Sequence, residues 1–324
     1  MPDIFSRRAA FKPFEYDVES YKLAIQHSYW LVSEFNFTSD IQDFHVKLTD
    51  VERNATKNTL LAISQIEISV KRFWTKLGDR FPKAEFEQVG VVFGESEVRH
   101  ADAYSHLLQV LGLNDDFTML LQNPVIQGRV DYLTKYLKGA SDSSNENYAL
   151  TLTLFSMFIE NVSLFSQFAI IKSFNRHRNL LKDIDNVVQA TAKEETIHAL
   201  LGAAIVQYIR AENPTWFNDG FYEKVVRASK KAYEAECKII DWIFEAGELP
   251  FLTKDTLKEF IKSRFNESVV MIGGPEVFKI DQNKLHTMRW FQEELLTDVA
   301  IDFFFKKSTN YSKKTQSITS SDLF

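Results

Sequence analysis

A single all-α domain is the fold that this sequence predicts, and three observations predict it. Glycine and proline are scarce, at 11 and 7 of 324 residues, so the chain has few places to turn. Apolar residues recur at helical spacing over long stretches, and the alternation that marks strands is nearly absent. No stretch rich in Pro, Gly or Ser divides the chain, and no repeat of about 20–50 residues is present. Hydrophobic residues make up 45 % and phenylalanine alone counts 28, enough for a sizeable core. Residues 1–305 are read as one helical domain and 306–324 as a polar tail.

Residues 1–16 predict an irregular arm. A helical pattern starts near Asp17 and carries Tyr21, Ile25, Tyr29 and Trp30, then loses its period between Phe37 and Phe44. From Thr49 to Leu77 the spacing predicts a long helix opened by a Thr49/Glu52 capping box. Its stripe is Ile63, Ile66, Val70, Phe73 and Trp74, with Glu67 beside it. Pro82 separates the next helix, residues 83–111, which Gly112 to Asn114 stop. Asn123-Pro124 opens a shorter helix ending near Gly139. The polar run 141–147 caps the most apolar stretch, Tyr148 to Ile171, whose helix extends to about Asn175. That stretch nearly reaches the length of a membrane span. Glu160, Asn161 and Gln167 would be costly in lipid, so a helix buried in protein is expected and no membrane span. Further helices are expected over Lys182–Glu212, Phe221–Glu245, Lys254–Val270 and, after Gly273-Gly274-Pro275, Asn283–Phe305.

Net charge of -6 and a pI near 5.7 give no footprint for nucleic acid or anionic lipid. The N-terminal stretch follows its basic residues with no unbroken apolar core, so a secretory signal is not expected. Cys237 is the one cysteine, which rules out an internal disulfide and points to a reducing, cytoplasmic setting.

The chemistry lies in four segments. In GESEVRHADAYSHLL, Glu97 and His100 are three apart and Tyr104 follows one turn on, so all three share a helix face. In ATAKEETIHALL, Glu195 and His198 repeat the spacing. Glu67 and Glu160 each stand alone on an apolar helix, where an unpaired charge is strongly disfavoured. One Glu-x-x-His on a charged helix is ordinarily a solvated pair, and a solitary buried Glu is matched by Lys or Arg about as often as not. Glu67, Glu97 with His100, Glu160, then Glu195 with His198, alternating on four long helices, predict a dinuclear metal site in a four-helix core. His27, His45, His106, His177 and His286 lack this arrangement, and Cys237 has no catalytic partner; they are read as structural or surface residues.

The run from Glu97 to His106 resembles the small, radical-generating subunit of class I ribonucleotide reductase, and the resemblance extends from about Tyr21 to the C-terminus. It implies a ferritin-like helical bundle, a homodimer and a dimetal centre whose oxidising equivalent passes to a separate large subunit that reduces ribonucleoside diphosphates. It makes Glu67, Glu97 and His100 the ligands of one metal and Glu160, Glu195 and His198 those of the other, with Glu97 and Glu195 able to bridge. Tyr104 matches the radical tyrosine, Trp30 the tryptophan that relays an electron, and Glu194 an acidic residue orienting His100 and Trp30. Tyr311 looks like the relay across the subunit boundary, and Leu323 and Phe324 like the tip that docks on the large subunit.

Three positions depart from the common di-iron pattern. Glu67 stands where Asp is usual, as in subclasses that use manganese; Lys71 lies one turn later and faces the same interior; Thr191 replaces an apolar residue one turn before Glu195. Leu164 and Phe168 keep the remaining lining apolar. The expectation is therefore an oxidant held by the metals, manganese and/or iron with dimanganese favoured, and Tyr104 not serving as the radical store. The di-iron tyrosyl radical is the rival. An R2-like ligand-binding oxidase of the same architecture, or an iron-storage bundle, are the competing functions.

Overall fold

The computed structural model describes residues 3–8, 10–70, 72–120, 122–139 and 144–300. Fourteen α-helices run through them in order: α1 Glu19–His27, α2 Thr38–Gln42, α3 Asp50–Val70, α4 Leu77–Arg80, α5 Ala84–Val110, α6 Asn114–Leu120, α7 Pro124–Gly139, α8 Asn145–Leu154, α9 Phe165–Arg178, α10 Lys182–Glu212, α11 Asp219–Ile243, α12 Lys254–Met271, α13 Gln282–Leu285 and α14 Arg289–Ala300. Among the described residues the only extended pairing is a bridge between Leu249 and Leu252. Helices α3, α5 and α10 and the continuous run α8–α9 form the central bundle, with α1 against α5 and α10 and with α11 and α12 outside.

The helix starts follow from local chemistry. Thr49 N donates to Glu52 Oε2 at 2.9 Å while Glu52 N donates to Thr49 Oγ1 at 3.3 Å, the reciprocal pairing expected of that sequence. Ser144, Asn218 and Thr253 accept from backbone N–H groups to cap α8, α11 and α12. Helix α10 is capped from a distance. Asp40 Oδ1, on α2, accepts from Asp183 N and Ile184 N at 3.0 Å each.

Short helices α2, α4 and α6 and the break of the expected last helix into α13, a 3-10 turn and α14 depart from the sequence expectation, and three further departures bear on the site. Helix α1 ends at His27, so Tyr29 and Trp30 lie in the connecting segment. Helix α3, described to Val70, does not run on as α-helix to Leu77: Trp74–Lys76 form a 3-10 turn, the Phe73 ring stacks on Phe155 and the wholly buried Trp74 meets Phe93 edge-on. The run through Glu160 is not a uniform α-helix. Residues Phe155–Ser163 form a π-helical segment between α8 and α9, a widened turn frequent at functional sites. The last helix is described only to residue 300, and the tail 306–324 lies outside the described residues. The 145–178 run is apolar and long enough to cross a membrane by composition, yet its apolar window is entirely buried within the protein.

Gly202 lets α10 pass close to the π segment, since a Cβ there would run into the Ser156 side chain. Gly202→Ala is therefore expected to lower the unfolding free energy by about 1–3 kcal/mol, overpacking outweighing the gain in helix propensity. Urea denaturation checks this, and an unchanged or raised midpoint would refute the tight crossing.

Candidate metal centre

Glu67 comes from the last turn of α3, Glu97 and His100 from α5, Glu160 from the π segment, and Glu195 and His198 from α10. All six side chains are essentially without solvent exposure. They gather in two overlapping groups: Glu67, Glu97, His100 and Glu195, and Glu97, Glu160, Glu195 and His198, with candidate ligand atoms of each group within 4.8 Å of one another. Glu97 and Glu195 belong to both. His100 Nδ1 lies 3.6 Å from Glu67 Oε2, 3.9 Å from Glu97 Oε2 and 3.0 Å from Glu195 Oε1. His198 Nδ1 lies 3.2 Å from Glu97 Oε1, 3.4 Å from Glu160 Oε2 and 3.3 Å from Glu195 Oε2.

The outer nitrogens of both imidazoles are already committed. His100 Nε2 lies 2.8 Å from Glu194 Oε2, and His198 Nε2 lies 2.9 Å from Ser96 Oγ. The Ser96 hydroxyl gives its own proton to Phe93 O at 2.8 Å, so it accepts from His198. In the neutral tautomers this leaves both Nδ1 lone pairs aimed into the cluster. Both oxygens of Glu67, Glu97 and Glu195, and both Nδ1 atoms, are buried without a hydrogen-bond partner. Donors of this kind, hard carboxylate oxygens and imidazole nitrogens, fit two divalent cations of the iron or manganese type, which also cancel four carboxylate charges.

Protonation reports the same frustration. Burial pushes the Glu67 carboxyl up to about 7, with attraction to His100 working the other way. Glu97 and Glu160 are raised by burial and by neighbouring carboxylates. Burial works against imidazolium at His100 and His198, but the surrounding carboxylates outweigh it and hold both well above the ordinary histidine range. The pocket binds protons because it is short of positive charge.

Glu194 organises one flank. Besides His100 it accepts from Trp30 Nε1 at 3.3 Å, from Ser28 Oγ at 3.1 Å and from Arg99 Nη1 at 3.2 Å. Burial alone would raise its pKa, but His100 and Arg99 hold it below the usual carboxylate range. The Trp30 ring lies nearly parallel to His100, with centroids 6.1 Å apart. On the opposite flank Trp74 Nε1 donates to Glu160 Oε1 at 3.0 Å. Sequence reading missed Arg99, Ser28, Ser96 and Trp74. Trp74 was legible only as one more apolar position in a stripe, and nothing in the spacing showed which way its N–H would point.

Tyr104 is buried beside the cluster. Its hydroxyl donates to Thr191 Oγ1 at 3.3 Å, and Thr191 passes its own proton to Val187 O at 3.0 Å. Burial and the nearby Glu67 raise the phenol's pKa. Leu164 and Phe168 are buried. Lys71, Tyr311, Leu323 and Phe324 lie outside the described residues.

Known proteins resemble this chain in sequence and in fold. A protein of Invertebrate iridescent virus 3 named as a ribonucleoside-diphosphate reductase small subunit is 27 % identical over 326 residues, covering 96 % of this chain and 86 % of its own. The solved ribonucleotide reductase R2 subunit from Clostridium botulinum superposes with a TM-score of 0.75 at 17 % identity, covering 86 % of this chain and 87 % of that one. An R2-like ligand-binding oxidase with a reconstituted Mn/Fe cofactor gives 0.64 at 17 % identity, covering 84 % and 100 %. These two structures share the ferritin-like fold. The family model described as ribonucleotide reductase, small chain, matches residues 8–284, and with most of the sequence inside that match the chain belongs to the ribonucleotide reductase small chain family.

Proposed function

We propose that the chain is the radical-generating small subunit of a class I ribonucleotide reductase, a cytoplasmic homodimer that works with a separate large subunit. The observation that carries this reading is the pair of buried ligand sets sharing Glu97 and Glu195 in a chain of this family. Glu67, Glu97 and His100 would hold one metal ion, and Glu160, Glu195 and His198 the other. Bound there, manganese or iron supplies one-electron redox chemistry, and the large subunit uses the resulting equivalent to reduce ribonucleoside diphosphates.

The residues around the site divide the remaining work. Glu194 and Ser96 fix the imidazole orientations by accepting from the two Nε2 atoms. Trp30, hydrogen-bonded to Glu194 and stacked on His100, relays the electron between the site and the surface, with Tyr311 continuing the route in the tail. Leu323 and Phe324 dock the tail on the large subunit.

The assignment of Tyr104 as a bystander is supported by its hydrogen bond. Losing an electron from a buried phenol requires its proton to go somewhere, and Thr191 Oγ1 is a poor base whose own proton is bound to Val187 O. Together with Glu67 in the first ligand position and Lys71 one turn on, this favours metals, manganese at one or both positions, as the oxidant store. The R2-like oxidase differs by oxidising a bound small molecule and needing no large subunit.

Three outcomes are expected. Tyr104→Phe keeps ribonucleotide reduction at the same order of magnitude with the metal content unchanged; loss of turnover in a fully loaded variant would restore the tyrosyl radical. A chain truncated after residue 305 no longer captures the large subunit in a pulldown, whereas undiminished capture would remove the docking role of the tail. Manganese(II) binding releases protons, and its apparent affinity falls as the pH is lowered, because His100, His198 and Glu160 hold protons above their ordinary ranges and Glu67 takes up a further one near pH 7 that the metal must displace. Calorimetry in buffers of different ionisation enthalpy measures this, and affinity independent of pH would contradict it.

A further inference from the structure

We infer that Arg264 is a positioning residue that fixes the π segment in the register which delivers the Glu160 carboxylate to the cluster. The inference rests on the reading of Glu160 as a metal ligand and extends it to a residue 104 positions later in the chain.

Where an α-helix widens into a π turn and narrows again, the ladder of backbone hydrogen bonds changes step, and carbonyls at the transitions need other partners. In the Phe155–Ser163 segment those partners come from α12 and α7. Arg264 Nε donates to Asn161 O at 2.8 Å, and its Nη2 donates to Asn161 Oδ1. Both acceptors belong to the residue directly after Glu160. One turn further along α12, Ser268 Oγ accepts from Asn161 Nδ2 at 2.7 Å and faces Met157 O at 3.1 Å. The Arg264 guanidinium also lies over the Phe165 ring, 3.8 Å from its centroid, and the residue is buried. A planar fork pinned by a ring and two acceptors on one residue has little freedom to let that residue turn.

The far end of the segment is held separately. Arg129 Nη2 donates to Ser163 O at 2.6 Å and Nη1 to Ala62 O at 3.1 Å on α3, with Glu236 Oε2 3.0 Å away. Arg129 therefore ties several helices together and its removal would disturb the whole bundle. Arg264 directs both of its hydrogen bonds to the residue beside Glu160, so its loss should be felt locally.

The test uses the full chain and manganese(II) alone, with binding followed by calorimetry, metal analysis and electron paramagnetic resonance, and folding followed by thermal denaturation. The unaltered chain is expected to take up two ions and show the signal of a coupled pair. In Arg264→Gln the affinity for one ion falls on the order of 10–100-fold, the spectrum turns to that of isolated manganese(II), and the other ion still binds. Arg264→Lys, which retains a donor for Asn161 O, recovers part of the loss. Adding Glu160→Ala to Arg264→Gln weakens binding little further, because both changes remove the same ligand. Ser268→Ala, which leaves the buried charge in place, shows a smaller effect on the same ion should Arg264→Gln fold poorly. Two ions bound as tightly in Arg264→Gln and Ser268→Ala as in the unaltered chain would overturn the positioning role alone, as would losses of both ions in step with a lower melting temperature. Failure of the unaltered chain to bind a pair would overturn the dimetal reading itself.

Discussion

The structure depends on the mutual repulsion of four carboxylates in a pocket closed to water. Glu67, Glu97, Glu160 and Glu195 share one small volume with two imidazoles, and burial raises the cost of every negative charge there. Left to themselves the groups draw in protons, which is why Glu67 is lifted to about 7 and both histidines favour imidazolium. Such an arrangement persists only if the surrounding fold is stable enough to impose it, and it is relieved by cations. On the function proposed above, the frustrated pocket is the working part of the molecule, and the bundle is the means of enforcing it.

Enforcement is visible in the contacts that hold the helices and several of the clustered side chains. Asp40, carried on α2, caps α10, the helix that bears Glu195 and His198. Gly202 allows that helix to close on the π segment at Ser156. Glu194 and Ser96 occupy the outer nitrogens of the two histidines, and Trp74 holds one oxygen of Glu160. The last three contacts remove rotations that His100, His198 and Glu160 would otherwise have, and the first two fix the helix that carries Glu195 and His198. The two flanks differ in character: the Glu194 side is charged, with Arg99 and His100 on one carboxylate, while the Glu160 side is lined by Trp74, Phe93 and Phe155.

Much of the site was legible before any fold was known. Glu-x-x-His places two donors on one helical face whatever the helix packs against, and Glu67 and Glu160 stood out because a lone carboxylate in an apolar stripe needs compensation. Arg99, Ser28 and Ser96 were not legible. They are ordinary polar residues on helical or loop surfaces until another element arrives at hydrogen-bonding distance. The widened turn at Phe155–Ser163 was likewise invisible, since its apolar residues suit an α-helix equally well and the side chains that meet its Asn161 and Ser163 carbonyls come from α12 and α7.

The sequence by itself determined the helical class, the capping of α3 by Thr49 and Glu52, and the identity of the six side chains that meet, because periodicity and donor chemistry are local properties. Only the tertiary structure decided that the chain around Trp74 leaves α-helical geometry and that its N–H meets Glu160, that Trp30 sits in a connection against His100, and that Tyr104 hydrogen-bonds Thr191. Those outcomes depend on which buried polar group finds a partner across the bundle, and a partner's distance is set by the packing of whole helices rather than by spacing along the chain.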